Sequence, residues 1–444
     1  MNHSMATSTT DSAYLIDELA PALERGPKWL REKRQISRKA FNRFPLPRRG
    51  LHLWRYTDPE KFLIRHGRVI DTPFADDYNT VEKVALSHLK QGHLSGLVTD
   101  LGGREIKVYG TEELDEKGVV VSTLSEAVDK HQELVEKHLY QLVNGRTDKF
   151  EAMNGALFND GIFIYVPDSV TVEKPLHLLR ETGRENSAHF PRLLVVVGKN
   201  AELTVIDEYG GGSVNIDRGV SNTNSAVEIF GLEESRVRYV SLQRQMAAAH
   251  SYLMHRARIE RGATMLTVPL AFGASISKQN FGVILNGDGA ESKMYGLLFG
   301  SEDQHFDNHT LHHHAASRTT SNIDFKVVLR DRALSAYTGL IRIDIESKTC
   351  EAYQGNRNLL LNKGTKVETI PELEILNEDV KCSHGATIGP IDPLSVFYLT
   401  SRGIDRDEAV RMIVSGFVAS TLKQIPKDLQ ERISNFVAQR LENI

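Results

Sequence analysis

A long series of short β-type segments, from Gly161 to about Ile391, constrains the fold of this chain more than any other feature. The segments are rich in Val, Ile, Leu and aromatic residues, and turn sequences such as Gly198-Lys199-Asn200 and Asn286-Gly287-Asp288-Gly289 separate them. Helical periodicity is almost absent across this stretch. Because an open strand edge promotes aggregation, so many strands must close or stack their edges.

Three architectures would remove most of these open edges: a pair of packed sheets, a propeller, or a β-solenoid in which each coil covers the last. A propeller repeats at about 40–50 residues with four strands in each blade, and the sequence contains no such repeat. Strand and turn instead recur irregularly, at about 12–20 residues. The sequence therefore predicts a mainly β protein with a β-solenoid core.

Helical patterns flank the predicted solenoid. On the N-terminal side, apolar residues recur at three-to-four spacing over 14–30, short strands are predicted near 96–98 and 119–121, and one helix is predicted over about 124–143. On the C-terminal side, three helices are predicted to begin near Asp392-Pro393, Asp405 and Pro426. These patterns divide the chain into an N-terminal, mainly helical domain (1–150), a β-helix core (151–392) and a C-terminal helical domain (393–444).

The composition excludes several classes of function. A formal net charge of −4 over 444 residues gives no overall attraction to nucleic acid or to an anionic membrane. A basic stretch at 25–49 is more typical of a solvated helix face or a protein-docking surface than of a nucleic-acid-binding surface. The chain has two cysteines, no apolar run of membrane-spanning length and a polar start, so we expect a cytoplasmic protein with no membrane partner. It has no Walker-type phosphate loop, so ATP hydrolysis is not expected of it.

Cys382 and His384 form the most informative pair of side chains. In an extended segment, residues i and i+2 point to the same face, so a thiol and an imidazole lie roughly 7 Å apart at their Cβ atoms. That separation is too wide for one small ion held by this pair alone. It suits an iron–sulfur unit or a site completed by a second chain. Taken alone, however, Cys-x-His is more typical of a buried thiol beside a hydrogen-bonded histidine.

An ordered set of motifs extends this pair over most of the chain. Its segments are Trp54-Arg55-Tyr56-Thr57, Asn154-Gly155-Ala156-Leu157-Phe158-Asn159-Asp160-Gly161, Gln354-Gly355-Asn356-Arg357-Asn358-Leu359-Leu360-Leu361, Pro371-Glu372-Leu373-Glu374-Ile375, Asp379-Val380-Lys381-Cys382-Ser383-His384-Gly385-Ala386-Thr387 and Phe397-Tyr398-Leu399-Thr400-Ser401-Arg402-Gly403-Ile404. The set strongly resembles the SufB/SufD family of iron–sulfur cluster assembly proteins, and within it SufD more than SufB. SufB-type chains carry a cysteine near the positions of Asn356 and Arg357, and a Glu-His-Glu-Ala-Thr segment where this chain reads Cys382-Ser383-His384-Gly385-Ala386-Thr387.

The resemblance implies a right-handed parallel β-helix between helical N- and C-terminal domains. It implies a non-catalytic scaffold subunit in complex with a SufB-like subunit and two copies of a SufC-like ABC ATPase docked on the C-terminal helices. A transient iron–sulfur cluster would form at the interface with SufB, between a SufB cysteine and His384, while the role of Cys382 stays open. No stable cofactor is expected in the isolated chain. The residues expected to contact the ATPase are Phe397, Tyr398, Arg402, Met412 and Phe417.

Two further groups of residues leave alternatives open. The histidines at 309 and 312–314 suggest a metal site, but stacked polar side chains on a solenoid explain them better. Cys350 is predicted to be a small buried apolar residue. The alternatives to a SufD-like subunit are a homodimeric scaffold of the same family and a β-solenoid enzyme acting on polysaccharide. The enzyme would need clustered carboxylates, whereas the candidates Asp324, Asp331, Asp344 and Glu346 are scattered.

Overall fold

The computed structural model describes residues 24–63, 68–69, 83, 86–102, 105–181, 187–210 and 220–442. The helices are α1 (Lys28–Arg43), α2 (Glu112–Glu116), α3 (Leu124–Lys130), α4 (Gln132–His138), α5 (Lys149–Leu157), α6 (Pro393–Thr400), α7 (Arg406–Leu422) and α8 (Lys427–Arg440), with 3₁₀ turns at His52–Trp54 and Pro59–Phe62. The strands are β1 (Arg68–Val69), β2 (Gly96–Leu101), β3 (Glu105–Tyr109), β4 (Val120–Thr123), β5 (Ile162–Val166), β6 (Leu176–Glu181), β7 (Ser187–His189), β8 (Arg192–Val197), β9 (Glu202–Gly210), β10 (Ser221–Gly231), β11 (Arg236–Arg244), β12 (Ala249–Ile259), β13 (Thr264–Ala271), β14 (Ile276–Leu285), β15 (Glu291–Gly300), β16 (His305–His314), β17 (Thr320–Leu329), β18 (Leu334–Ile343), β19 (Cys350–Leu360), β20 (Lys366–Ile375) and β21 (Val380–Pro390).

The strands form a flattened β-solenoid, as predicted. Sheet I has the order β20-β18-β16-β14-β12-β10-β8-β5-β4, and sheet II has the order β21-β19-β17-β15-β13-β11-β9-β6-β2-β3. From β8 onward, successive strands alternate between the two sheets, and every pairing among these strands is parallel. Each coil therefore supplies the backbone hydrogen-bond partners of the next coil.

The space between the two sheets forms the main hydrophobic core. Alternate residues of each strand point into it, so Ile229, Val283 and Phe325 belong to one continuous cluster of buried side chains. Burial of each such side chain contributes about 1.5–3 kcal/mol. The runs of β-branched residues seen in the sequence supply these inward positions.

The outer faces of the two sheets are covered by different parts of the chain. On sheet I, Trp54 of the N-terminal region packs against Phe150 and Tyr252, with ring centroids 4.7 and 5.7 Å away. On sheet II, α7 and α8 bury Val414 and Ile433 in a separate cluster with strand residues such as Val268. Parts of both outer faces are therefore already occupied within the molecule.

A buried ion pair anchors the N-terminal segment to sheet I. The ammonium of Lys278 contacts the Asp307 carboxylate at 2.8 Å and donates to the carbonyl of Leu53, while the Thr57 hydroxyl donates to the same carboxylate. Burial alone would raise the pKa of Asp307, but Lys278 and His309 hold it well below its usual range. These contacts hold β14, β16 and the segment around the first 3₁₀ turn together.

Of the predicted flanking helices that fall on described residues, all but one are confirmed. Asp392 and Asp405 cap α6 and α7 with their carboxylates, and α8 begins directly after Pro426. The single helix over 124–143 is wrong, because His131 leaves the helical region with φ −132° and separates α3 from α4. This break lets Val128 and Val135 enter the same buried cluster from two directions. The helix predicted near 14–23 lies outside the described residues.

Four buried histidines make the folded state sensitive to acid. Burial lowers the pKa of His189 and His314 to about 4, and that of His255 and His312 to about 3. The unfolded chain takes up these protons near pH 6.5, well before the folded chain does. Below about pH 6.5 the unfolded state therefore binds more protons, and the free energy of unfolding falls by about 1.4 kcal/mol per pH unit for each imidazole.

Replacing one of these histidines should flatten this pH dependence. His255 lies between the rings of Tyr239 and Phe281, with centroids 4.9 and 5.2 Å away, and leucine has a similar volume. We expect His255→Leu to reduce the slope of unfolding free energy below pH 6.5 by about 1.4 kcal/mol per unit, measured by urea unfolding. The control Phe281→Leu should lower stability at every pH without changing the slope. An unaltered slope in His255→Leu would contradict the assignment.

Candidate functional site

The solenoid ends in two strands that are each paired on one side only within the described residues. β20 pairs with β18, and β21 pairs with β19. The backbone groups on the other edge of each strand are therefore free. Inward-facing apolar side chains of this last coil are exposed, because no further coil covers them: Leu373, Ile375 and Ile388.

Cys382 and His384 lie on the inner face of β21. In the parallel register Cys382 pairs with Ala352 and His384 pairs with Gln354, and both partners are buried between the sheets. Cys382 is half-buried, whereas His384 is exposed at the open end. The structure thus brings the two predicted site residues to one face, at the end of the coil stack and not in its interior.

The environment of Cys382 favours the protonated thiol. Burial raises the pKa of this thiol, and the neighbouring Cys350 acts in the same direction. The side chain packs against Ile341, Ile343 and Cys350. A ligand role for Cys382 would therefore require a cation or a partner's positive charge to displace the proton.

Three amides line the coil directly beneath this pair, and reasoning from the sequence treated them only as part of a motif. Gln354 Nε2 donates to Gly339 O at 3.2 Å, Asn356 Nδ2 to Phe325 O at 3.0 Å, and Asn358 Nδ2 to Asn356 Oδ1 at 2.7 Å. Within the described part of the chain, Gln354 Oε1 and Asn358 Oδ1 are buried without a hydrogen-bond partner. The core thus changes from apolar to amide-lined one coil before the open end.

The C-terminal helices carry an exposed apolar patch, which we define as Leu394, Phe397, Tyr398 and Met412. Leu394 and Phe397 are 75% and 68% exposed, and the guanidinium of Arg402 lies 4.9 Å from the ring centroid of Tyr398. Phe417 does not belong to this patch. It is partly buried against sheet II, where its carbonyl accepts a hydrogen bond from Lys326 Nζ at 2.6 Å.

The histidine-rich strand makes internal hydrogen bonds. His312 and His314 face inward, where they bond Ser292 (3.1 Å) and Thr319 (2.7 Å), while His313 faces outward to Asp344 (2.8 Å). Cys350 is buried in the core, as predicted. Among the described residues, no group of three or more His, Cys, Asp or Glu side chains is arranged to hold a metal ion.

The carboxylates considered for a polysaccharide enzyme are separated and engaged elsewhere. Asp324 pairs with Arg357 at 2.7 Å, Asp331 with Arg330 at 3.2 Å, and Asp344 with both His313 and Arg342. Paired acid and base carboxylates need a shared substrate cleft. These residues do not form such a cleft.

These features define a class: a β-solenoid protein whose open last coil presents an exposed histidine and a half-buried cysteine on its inner face. A sequence profile described as "SUF system FeS cluster assembly, SufBD core domain" matches residues 179–417, and one described as "SufBD protein N-terminal region" matches residues 15–178. The chain therefore belongs to the SufBD family of iron–sulfur cluster assembly proteins of the SUF system.

Curated relatives agree with this assignment over nearly the whole chain. An iron-sulfur cluster assembly SufBD family protein of Staphylococcus aureus is 24% identical over 421 residues, which cover 94% of this chain and 90% of the relative. A protein of the same description from Staphylococcus epidermidis is 24% identical over 424 residues, with the same coverage.

None of the helices in the described part of the chain combines the length and the apolar character that a membrane span needs.

The two cysteines should differ sharply in reactivity. Cys350 is 1% exposed, whereas Cys382 is half-buried with a raised pKa. We expect iodoacetamide to modify Cys382 alone in the folded chain, more slowly than free glutathione at the same pH, and to reach Cys350 only after denaturation. Peptide mass spectrometry measures both sites, and Cys382→Ala provides the control without native labelling. Labelling of Cys350 in the folded chain would be inconsistent with its burial.

Proposed function

We propose that this chain is a SufD-like scaffold subunit of a SufBCD-type complex in the cytoplasm. The observation that carries the proposal is the position of His384, exposed on the inner face of the last coil between two free strand edges. The lack of a cysteine near Asn356 and Arg357 favours the SufD-like role over the SufB-like one.

The free edges of β20 and β21 are the surface that a SufB-like partner would cover. A partner with the same solenoid fold presents equivalent edges, so strand addition satisfies the unpaired backbone groups of both chains. The exposed Leu373, Ile375 and Ile388 add apolar area at the same place. The partner contributes a thiolate opposite His384, and the nascent cluster is the cargo held between the chains.

The apolar patch on α6 and α7 is the proposed docking surface for a SufC-like ATPase. Leu394, Phe397, Tyr398 and Met412 leave a hydrophobic surface open on α6, none of whose residues is buried, and on α7, whose buried residues pack against sheet II. Such a surface is typical of a protein interface. ATP-driven movement of the docked subunits would open the site between the two solenoids, because the helices and the last coil belong to one packed unit.

A homodimeric scaffold is the second candidate, and the same free edges favour it. A second copy presents strands of matching length, so the pairing geometry is equally available to it. The two candidates differ in the thiolate that would lie opposite His384. A SufB-like partner supplies its own cysteine, whereas a second copy supplies Cys382. Co-purification of native partners from the source cell distinguishes a SufB-like subunit from a second copy.

Loss of the His384 imidazole should strongly reduce cluster accumulation without loss of assembly. We expect His384→Ala, co-expressed with its SufB-like and SufC-like partners, to form the complex and to show about tenfold less cluster absorbance near 400 nm, because one ligand is missing. His313→Ala is the matched control, as His313 lies on the outer face of sheet I. Normal cluster content in His384→Ala would overturn the site assignment.

A charge in the apolar patch should release the ATPase. We expect Phe397→Asp to reduce co-purification of the SufC-like subunit at least about tenfold, because it buries a carboxylate in an apolar interface. Ile36→Asp, on the exposed face of α1, is the control for adding a charge at a surface apolar helical residue. Retention of the ATPase by Phe397→Asp would place its docking surface elsewhere.

A further inference from the structure

Gln354 lies directly beneath His384 in the coil stack. The two residues are register partners on the neighbouring parallel strands β19 and β21, and both occupy the inner face. Neighbouring strands are about 4.8 Å apart, so the carboxamide and the imidazole are within reach of each other. Gln354 is buried, and it belongs to the amide-lined coil described above.

The orientation of the Gln354 carboxamide is fixed by the opposite sheet. Its nitrogen, Nε2, donates to Gly339 O at 3.2 Å. Because a carbonyl oxygen can only accept, the nitrogen of the amide must face Gly339 and its oxygen must face away from Gly339. Gly339 makes room for this contact, because a Cβ at position 339 would overlap the carboxamide of Gln354. The oxygen that remains, Oε1, is buried and has no partner within the described residues.

As a metal ligand, His384 would need a hydrogen-bond acceptor for its second ring nitrogen. A neutral imidazole that ligates a metal through one nitrogen carries a proton on the other, and such ligands almost always donate that N–H to an acceptor. Asn356 is two residues further along β19, but its Oδ1 already accepts a hydrogen bond from Asn358. The other unpartnered amide oxygen of this coil, Asn358 Oδ1, is four residues along, roughly 13 Å away by strand rise. Among the amide oxygens of this coil, Gln354 Oε1 is therefore the unpartnered acceptor nearest to His384.

We propose that Gln354 is a positioning residue for His384: its side-chain oxygen accepts the ring N–H and directs the other ring nitrogen outward to the nascent cluster. This inference rests on the proposed function. Gln354 does not touch the cluster, and it acts by selecting one tautomer and one ring orientation of His384.

The test uses two readouts, so that a structural defect is distinguished from a positioning defect. Nitrogen-15 NMR of the full chain with labelled histidine reports the tautomer of His384, whose signals are identified by their absence in His384→Ala. Cluster absorbance of the co-expressed complex reports the functional consequence. We expect one dominant tautomer in the native chain, and mixed tautomers with about tenfold less cluster in Gln354→Leu.

Three further variants make the outcome decisive. Gln279→Leu removes an inner-face glutamine of β14 whose Oε1 is also buried and unpartnered, and both readouts should stay native. Gly339→Ala displaces the carboxamide of Gln354 without removing it, although the new Cβ also meets the hydroxyl of Tyr337, and should reproduce both losses even if Gln354→Leu does not fold. In Gln354→Glu, burial favours the protonated acid, which can donate to Gly339 O and accept through its carbonyl, so the single tautomer should be retained.

Native tautomer and native cluster content in Gln354→Leu or Gly339→Ala would overturn the inference. Failure of the proposed function gives a different result, because His384→Ala would then itself accumulate cluster normally. If His384→Ala loses cluster while Gln354→Leu does not, the site stands and only the role of Gln354 is refuted.

Discussion

Parallel hydrogen bonding between coils is the constraint on which the rest of this structure depends. Each strand receives its backbone partners from the coil before it and supplies them to the coil after it, so the stack is complete everywhere except at its ends. The N-terminal region and the C-terminal helices close the two faces but leave β20 and β21 open. The position of the candidate site follows, because among the described residues it is the last coil that exposes inward-facing side chains.

Buried charge networks fix how the flanking regions sit on the solenoid. Arg192 and Glu228 pair at 2.7 Å on sheet I, and the same carboxylate accepts hydrogen bonds from the backbone amides of Tyr140 and Leu142. On sheet II the buried Glu208 bonds Arg432 of α8 and His177. Such pairs add little net stability compared with apolar contacts, but a misplaced helix would leave a charge unpaired. We infer that they select the register of the covering segments.

The sequence allowed the solenoid, the flanking helices and the Cys382–His384 pair to be predicted, because each depends on spacing along the chain. The break at His131 was missed because it depends on packing against sheet I. Phe417 has the same apolar character as Phe397, and only the position of sheet II separates them. The position of Gln354 beneath His384 could not be predicted, because it depends on the register between β19 and β21. This register pairs residues thirty positions apart in the sequence (384 − 354). Contacts across coils are invisible to local periodicity.

The open strands of the last coil also affect the tendency of the chain to aggregate. Strand edges ten and eleven residues long, beside exposed leucine and isoleucine, are templates for indefinite sheet growth. Glu368, Glu372 and Glu374 on the outer face of β20 repel a like-charged neighbour and slow such growth. A last coil that stays uncovered is therefore open to strand addition by other chains, and these carboxylates act against it.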